Sequence, residues 1–429
     1  MKILLVLNKP IREIPIMESI RREIVALEPD SHVEIREMCA PGFVRFVMTF
    51  RPDVILTFPF TCIGFSQMYY LFKMLYATKI VCFRAEGVIG LNSEYDVRWA
   101  TGFDAYGESL VDYEVFWGSS MAQAVGSSLL AQHKLSGRER IRSIGYPRLE
   151  AYFADAEQAP LNVPTRIINR IAAYNRQDIL LCITGFHLAN YTRQNLFDAK
   201  DLDAENNVDN LLEGVEISKQ FRAKLIETII STADQHHKQL FIVKKHPIER
   251  TEDYAVLETI PNILYVHEDI ELQNLIPYVG LFLHYGSTAL VDSYLSGVPS
   301  VYIYSTTNKQ WYSDLGWPSS VRAEVAEIPT VIQDYLNGKV NFRMTAGIKQ
   351  IMKDIFNIEE GKPYRPSREI AQLLLAADKA QRVPLSDHYL WKAVIAVLLD
   401  SGLIVVSRII KWIFRIPPEV SLLRKLKLT

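Results

Sequence analysis

Several signatures that would settle a function at once are missing from this chain. Its four cysteines (Cys39, Cys62, Cys82, Cys182) are scattered through 429 residues with no C-x-x-C pair, which argues for a reducing compartment and against a zinc site. No His/Asp/Glu set has metal-ligand spacing, and no D-x-D follows a predicted strand. The turn after the first predicted strand reads NKPIRE, so the G-x-G-x-x-G of a dinucleotide-binding unit is absent. A G-x-S-x-G nucleophile turn is missing too. No run of 18 uncharged apolar residues occurs, so no spanning helix is expected. The opening MKILLVLN is too short an apolar run for a leader and reads as a buried strand. The formal net charge is only -2, which disfavours nucleic acid as a partner. No repeat at a solenoid period is present.

What is there describes a well-packed globular protein. Hydrophobic residues make up 49% and charged residues 22%, and the length suits two ordinary domains with extra helices. Strands are predicted at 3–7, 32–38, 53–58, 79–84 and 103–108, with helices across 15–28, 43–50 and 66–77. Strands separated by helices make parallel β-α-β units in a doubly wound sheet. Residues 141–150, IRSIGYPRLE, close this unit, and DAEQAPLN at 155–162 has linker composition. A second unit opens with DILLCIT (178–184), followed by a polar stretch, 193–210, read as an inserted loop. A helix at 216–236, strands at 239–247 and 263–266 and a short helix at 271–279 follow. After Ile303 the pattern is helical, at 321–337, 342–356, 366–381 and 387–415, with these helices over the second unit and the last returning to the first. The expected organisation is α/β with two Rossmann-like domains facing a cleft, at 1–160 and 176–385, and a basic amphipathic helical tail at 386–429.

The stretch around which this pattern turns is LFLHYGSTALVDSYLSGVPSVYI, residues 281–303. An apolar strand gives way at Gly286, Ser287 and Thr288 to helical spacing. Backbone N–H groups, hydroxyls and the positive helix end would converge there on an anion. Asp292, one turn on, is placed to reach a ribose hydroxyl, and His284 faces the same pocket. The bland alternative is that Ser287 or Thr288 merely caps the helix.

Further clusters fall at predicted strand ends, where ligands bind in such sheets. Arg84-Ala85-Glu86-Gly87 offers Glu86 as a general base, or as a partner for Arg84. In Lys244-Lys245-His246-Pro247 the proline stops the strand and projects His246 beside two cations. Thr184-Gly185-Phe186-His187 with Asn190 supplies donors for phosphate or is an ordinary turn. Arg148, in Gly145-Tyr146-Pro147-Arg148, would reach an anion or belong to a rigid turn.

In order and type these motifs resemble the GT-B glycosyltransferases that use CMP-activated sugars. Ala85-Glu86-Gly87 resembles the acidic-acidic-Gly motif of bacterial sialyltransferases in part, with Ala85 where an acid is common. His246-Pro247 is similar to their His-Pro motif, and Ser287-Thr288 to their Ser-rich turn. EGVIGLNSE (86–94), IGYPRLE (144–150), KKHP and HYGSTALVDS (284–293) resemble bacterial surface-carbohydrate biosynthesis proteins and Kdo transferases over roughly residues 1–310. The resemblance implies an inverting, metal-independent transferase without a cofactor beyond its nucleotide-sugar donor. Glu86 would be the base, with Glu94 and Asp96 in reserve. His246 would act on the departing phosphate together with Lys245, Ser287 and Thr288, and Asp292 would hold the ribose. Nucleotide-binding residues would be Thr184, Gly185, Lys245, His246, Pro247, His284, Gly286, Ser287, Thr288 and Asp292.

Residues 389–429 hold seven Lys/Arg against two Asp/Glu. Arg408, Lys411 and Arg415 share one helical face, and Val405, Ile409, Trp412, Ile413 and Ile416 populate the other side. A basic amphipathic helix suits an anionic membrane surface, unless it is docked on the core. The expected partners are thus a nucleotide sugar, a glycan or lipid-linked glycan acceptor and the membrane surface. The expected location is cytoplasmic, peripheral on the inner face of the inner membrane. The alternatives are a CDP-polyol phosphotransferase of teichoic-acid type, a sugar-nucleotide epimerase, and a non-catalytic scaffold of polysaccharide assembly.

Overall fold

A computed structural model describes residues 1–8, 10–38, 40, 42–58, 63–84, 110–131, 135, 137–153, 163–191, 208–247, 249–268, 270–304 and 318–377. The described chain divides into two compact units: Met1–Phe153 with residues 351–377, and residues 163–350.

The first unit alternates β1 (Lys2–Leu7), α1 (Pro10–Leu27), β2 (His32–Glu37), α2 (Phe43–Phe50), β3 (Val54–Thr57), α3 (Ile63–Tyr76) and β4 (Lys79–Phe83). It continues through β5 (Tyr113–Phe116), α4 (Ser119–Ala131) and β6 (Ile141–Ser143), then a 3-10 turn over Pro147–Tyr152. Its six strands lie in the order β2-β1-β3-β4-β5-β6, each neighbouring pair parallel. Strands covered on both faces need no polar alternation. Accordingly Ile3, Leu4 and Leu5 of β1 and Val54, Ile55 and Leu56 of β3 are all closed to solvent.

In the second unit, α5 (Thr165–Ile171) precedes β7 (Ile179–Ile183), α6 (Val208–Gln235), β8 (Leu240–Lys244), β9 (Ile263–Val266) and β10 (Leu281–His284). Then come α7 (Leu290–Ser296), β11 (Ser300–Tyr304), β12 (Val321–Glu324) and α8 (Ile328–Leu336). The sheet order is β12-β11-β10-β7-β8-β9, again parallel throughout. One core packs Leu281 and Leu283 of β10 with Leu225 and Ile229 of α6 and Ile328 and Ile332 of α8.

Two elements, α9 (Ala346–Phe356) and α10 (Pro366–Ala376), carry the chain back to the first unit, the division falling within α9. These helices were expected over the second unit. The return is held by polar contacts at and just before the start of α10. Tyr146 N–H donates to the Tyr364 hydroxyl at 2.7 Å. Glu150 accepts from Ser367 N–H at 2.6 Å and from its hydroxyl at 2.7 Å.

A fifth strand expected at 103–108 lies outside the described residues. The strand β5 over YEVF (113–116), where Glu114 breaks the apolar pattern, is an addition to the expected set. Three local expectations differ from the structure. Residues 321–324, read as the start of a helix, are the polar edge strand β12. The short helix at 271–279 is two 3-10 turns, Leu272–Asn274 and Ile276–Tyr278, the second with Pro277 in its first turn. Helix α6 begins at Val208 rather than 216, taking in the end of the stretch read as a loop. The tail at 386–429 lies outside the described residues. Among the described residues, no helix is long and apolar enough to cross a membrane.

Candidate functional site

In the second sheet the strand order reverses between β7 and β10. Their connections leave in opposite directions there and open a crevice at the carboxyl ends. Register brings three of those ends level. Ile183 is opposite Lys244 on β8, and Cys182 is opposite Leu283 on β10. Thr184-Gly185, Lys245-His246 and Tyr285-Gly286-Ser287-Thr288 therefore leave the sheet side by side, the three clusters read from the sequence.

After β8 the chain makes a four-residue turn, with His246 C=O accepting Glu249 N–H at 2.9 Å. Pro247 sits second in the turn, where its fixed φ is favoured. The turn directs the Glu249 carboxylate back under the strand ends, at 4% exposure. Oε1 accepts Phe186 N–H at 2.8 Å and the Tyr254 hydroxyl at 2.6 Å. Oε2 accepts His246 N–H at 2.9 Å and the Thr184 hydroxyl. Thr184 Oγ1 also accepts His246 N–H, at 3.1 Å. Burial first, then the Glu249 charge, push the Tyr254 phenol up, so it stays a donor. The same two causes push Cys182 up to about 12 and leave its thiol unreactive.

This hub changes what the neighbouring residues offer. Thr184, expected to touch nucleotide, spends its hydroxyl on Glu249. Lys245 is 8% exposed, and its ammonium donates to the carbonyls of His246 at 3.3 Å and Pro247 at 3.4 Å. Asn190 Oδ1 accepts from Arg222 at 3.3 Å. Gly185 is half-buried and Pro247 exposed. His246 is half-buried at the turn.

On the β10 side, Gly286 has φ +52°, a left-handed turn that glycine adopts without steric cost. Ser287 Oγ accepts Ala289 N–H at 3.2 Å, a bond local to the turn; the N-cap of α7 is Ala289, without a side-chain cap bond, so neither Ser287 nor Thr288 caps the helix. Ser287 and Thr288 stay half-buried at the level of the crevice, whereas Asp292 is enclosed, at 0% exposure. His284 is 2% exposed, stacked on Phe282, with Nε2 3.1 Å from Ser319 Oγ. Burial lowers it to about 3. It is neutral at working pH, and among the described residues Nδ1 has no hydrogen-bond partner.

In the first unit Glu86, Glu94 and Asp96 lie outside the described residues. Arg84 Nε is 3.0 Å from Glu114 Oε2. Arg148 lies over the Tyr146 ring, 5.7 Å from its centroid, at the start of the 3-10 turn. Among the described residues no three His, Cys, Asp or Glu side chains come together as a metal site would require.

Glu249 and Tyr254 are functional residues that strand-end motifs alone do not single out. The signal was present as H-P-x-E: a proline second in a turn returns the fourth residue toward the first.

No protein-family model matches the chain, and no curated protein matches it. Solved structures do. The UDP-GlcNAc 2-epimerase of Neisseria meningitidis bound to UDP-GlcNAc superposes with a TM-score of 0.52 at 12% identity, covering 87% of this chain and 100% of that one. A putative UDP-N-acetylglucosamine 2-epimerase of Listeria monocytogenes gives 0.52 at 12%, covering 89% and 98%. The UDP-GlcNAc 2-epimerase of Methanocaldococcus jannaschii gives 0.50 at 11%, covering 88% and 100%. With two all-parallel, doubly wound sheets and these likenesses, the chain has the GT-B fold.

Proposed function

We propose that this chain is a GT-B enzyme acting on a nucleotide-activated sugar, with the nucleotide's phosphate at the carboxyl ends of β7, β8 and β10. The observation that carries the reading is the convergence of Lys245-His246 and Gly286-Ser287-Thr288 at one switch point. A crevice there presents backbone N–H groups and hydroxyls to an anion. Within this reading the reaction is inverting, metal-independent transfer of a CMP-linked acidic sugar, Kdo or a relative, to a surface-polysaccharide acceptor. Glu86 takes the proton of the acceptor hydroxyl. The new bond forms at the anomeric carbon as its bond to the phosphate oxygen breaks, and CMP leaves. His246, Ser287 and Thr288 hydrogen-bond the departing phosphate, the role that preorganised donors fill best. The donor class rests on the resemblance of the His-Pro and Ser-Thr motifs to those of CMP-sugar enzymes. The basic tail is the proposed contact with an anionic membrane surface carrying a lipid-linked acceptor.

A thermal-shift panel with CMP, CDP, UMP, UDP and GDP, on the parent and on His246→Ala, tests this, since a ligand that binds only the folded state raises its melting temperature. A CMP or CDP shift lost in the variant is the expected result. Turnover of CDP-glycerol instead of a CMP-sugar would move the assignment to polyol-phosphate transfer. No shift with any nucleotide would sink the enzyme reading and favour the scaffold. The second reading is epimerisation of a UDP-sugar, for which the likeness to UDP-GlcNAc 2-epimerases is the reason. A shift with UDP alone would support it and overturn the CMP-sugar assignment.

A further inference from the structure

The Glu249 carboxylate occupies a nest of four donors drawn from three segments. Phe186 N–H and the Thr184 hydroxyl come from the β7 loop, His246 N–H from the β8 loop, and the Tyr254 hydroxyl from the 3-10 turn Glu252–Thr259. Backbone N–H groups at strand ends form anion sites, and here the chain fills one with its own carboxylate. We infer that Glu249 is the positioning residue for His246, and that the ligand's phosphate lies on the β10 side of the crevice, not in the Thr184-Gly185 turn.

The hydrogen-bond pattern requires a carboxylate. One backbone N–H points at each oxygen: Phe186 at Oε1, 2.8 Å away, and His246 at Oε2, 2.9 Å away. An ionised carboxylate accepts at both oxygens, whereas a glutamine accepts at one and donates at the other. Glu249→Gln must therefore set an amide N–H against one of two backbone N–H groups, that of Phe186, which is buried, or that of His246, which is partly buried and keeps Thr184 Oγ1 as a second acceptor. An unmet buried donor carries the full cost of its desolvation. If the amide faces Phe186, the β7 loop moves. If it faces His246, the histidine's backbone moves, with its ring and the turn at Pro247. The Tyr254 hydroxyl rotates to suit either case. Thr184 Oγ1 bridges the two residues, accepting from His246 N–H while donating to Glu249. Its effect on ligand then passes through Glu249, so the two residues should act as one unit.

The inference rests on the nucleotide reading for its affinity arm only, so the experiment has two arms. The first follows the His246 side-chain resonances of the full chain, identified by their loss in His246→Gln, in the parent, Glu249→Gln and Thr184→Val. Displacement of the His246 resonances in both variants is expected, with the other histidine resonances in place. The second arm measures CMP and UDP affinity by calorimetry in the same proteins and in the double variant. At least a tenfold loss for Glu249→Gln is expected, a smaller loss for Thr184→Val, and a double variant no weaker than Glu249→Gln. Multiplying losses would mean that Thr184 meets the phosphate directly and would overturn the assignment. Unmoved His246 resonances with unchanged affinity, beside a lowered melting temperature, would make Glu249 a structural acceptor only. If the parent binds neither nucleotide, the proposed function falls, while the resonances still decide whether Glu249 places His246. Should Glu249→Gln fail to fold, Thr184→Val carries both arms.

Discussion

Arg84 Nε stands 3.0 Å from Glu114 Oε2 in the interior of the first unit, the two residues 2% and 0% exposed. Arg84 directly follows β4 and Glu114 lies on β5 beside Cys82. The pair therefore anchors the strand end from which the segment bearing Glu86 departs. Among the described residues, Glu114 Oε1 has no hydrogen-bond partner. Removing one partner of such a pair leaves an uncompensated buried charge, and Arg84→Met alone should cost ~3–5 kcal/mol. Arg84→Met with Glu114→Leu should be far milder than either single change, because no charge is left behind. Urea unfolding of the three variants checks this, and additive losses would show that the two residues do not act as a pair.

His284 makes acid stability a direct readout of the second unit's interior. Burial holds it near 3 in the fold, against an ordinary 6.5 when unfolded. The unfolded chain thus binds more protons between those values. The contribution is complete above pH 6.5 and declines as pH falls, by up to ~1.4 kcal/mol per pH unit. Urea midpoints at pH 7, 6, 5 and 4 should fall less steeply in His284→Gln, which keeps a nitrogen toward Ser319. Parallel curves would mean that His284 protonates in the folded state.

Glu150 has the opposite sign. Burial raises it above the ordinary 4.5, against the hydrogen bonds from Ser367 and Ser19, with Glu23 adding to the rise. Its neutral form is favoured in the fold, so its contribution is present at low pH and is lost as pH climbs through the raised value. Glu150→Gln keeps an acceptor for Ser367 N–H without the charge. It should match or exceed the parent's melting temperature at pH 7, whereas Glu150→Ala should fall below it. Equal losses in both variants would show that the charge is needed to hold α10.

Gly118 sets how closely α9 approaches the start of α4. A Cβ there would run into the backbone of Asp354 and Ile355, which cannot rotate aside as a side chain would. Gly118→Ala should therefore cost ~1–3 kcal/mol through overpacking. A melting temperature equal to the parent's would mean that α9 has room to shift.

The apolar pattern reports most strands of this fold and misses two. Strands β1, β3, β4, β7, β8 and β10 are legible because a parallel strand covered on both faces must be apolar at nearly every position. β5 and β12 are not: Glu114 is tolerated in β5 only because Arg84 meets it, and β12 is a polar edge that runs into a helix. At the site, His246, Gly286, Ser287 and Thr288 were legible as turn chemistry at strand ends. The same reasoning placed Asp292 and His284 toward ligand, and the fold encloses both.

By itself, then, the amino-acid order determined the alternation of apolar strands and helices, and with it two doubly wound sheets. It also determined which turns carry donors, since period, proline and glycine act locally. Tertiary structure alone decided which strand ends lie together, that α10 rejoins the first unit, and that Glu249 captures Thr184 and Phe186 from the β7 loop. Those outcomes depend on sheet order and on the pairing of buried polar groups between residues distant in sequence, for which no local pattern exists.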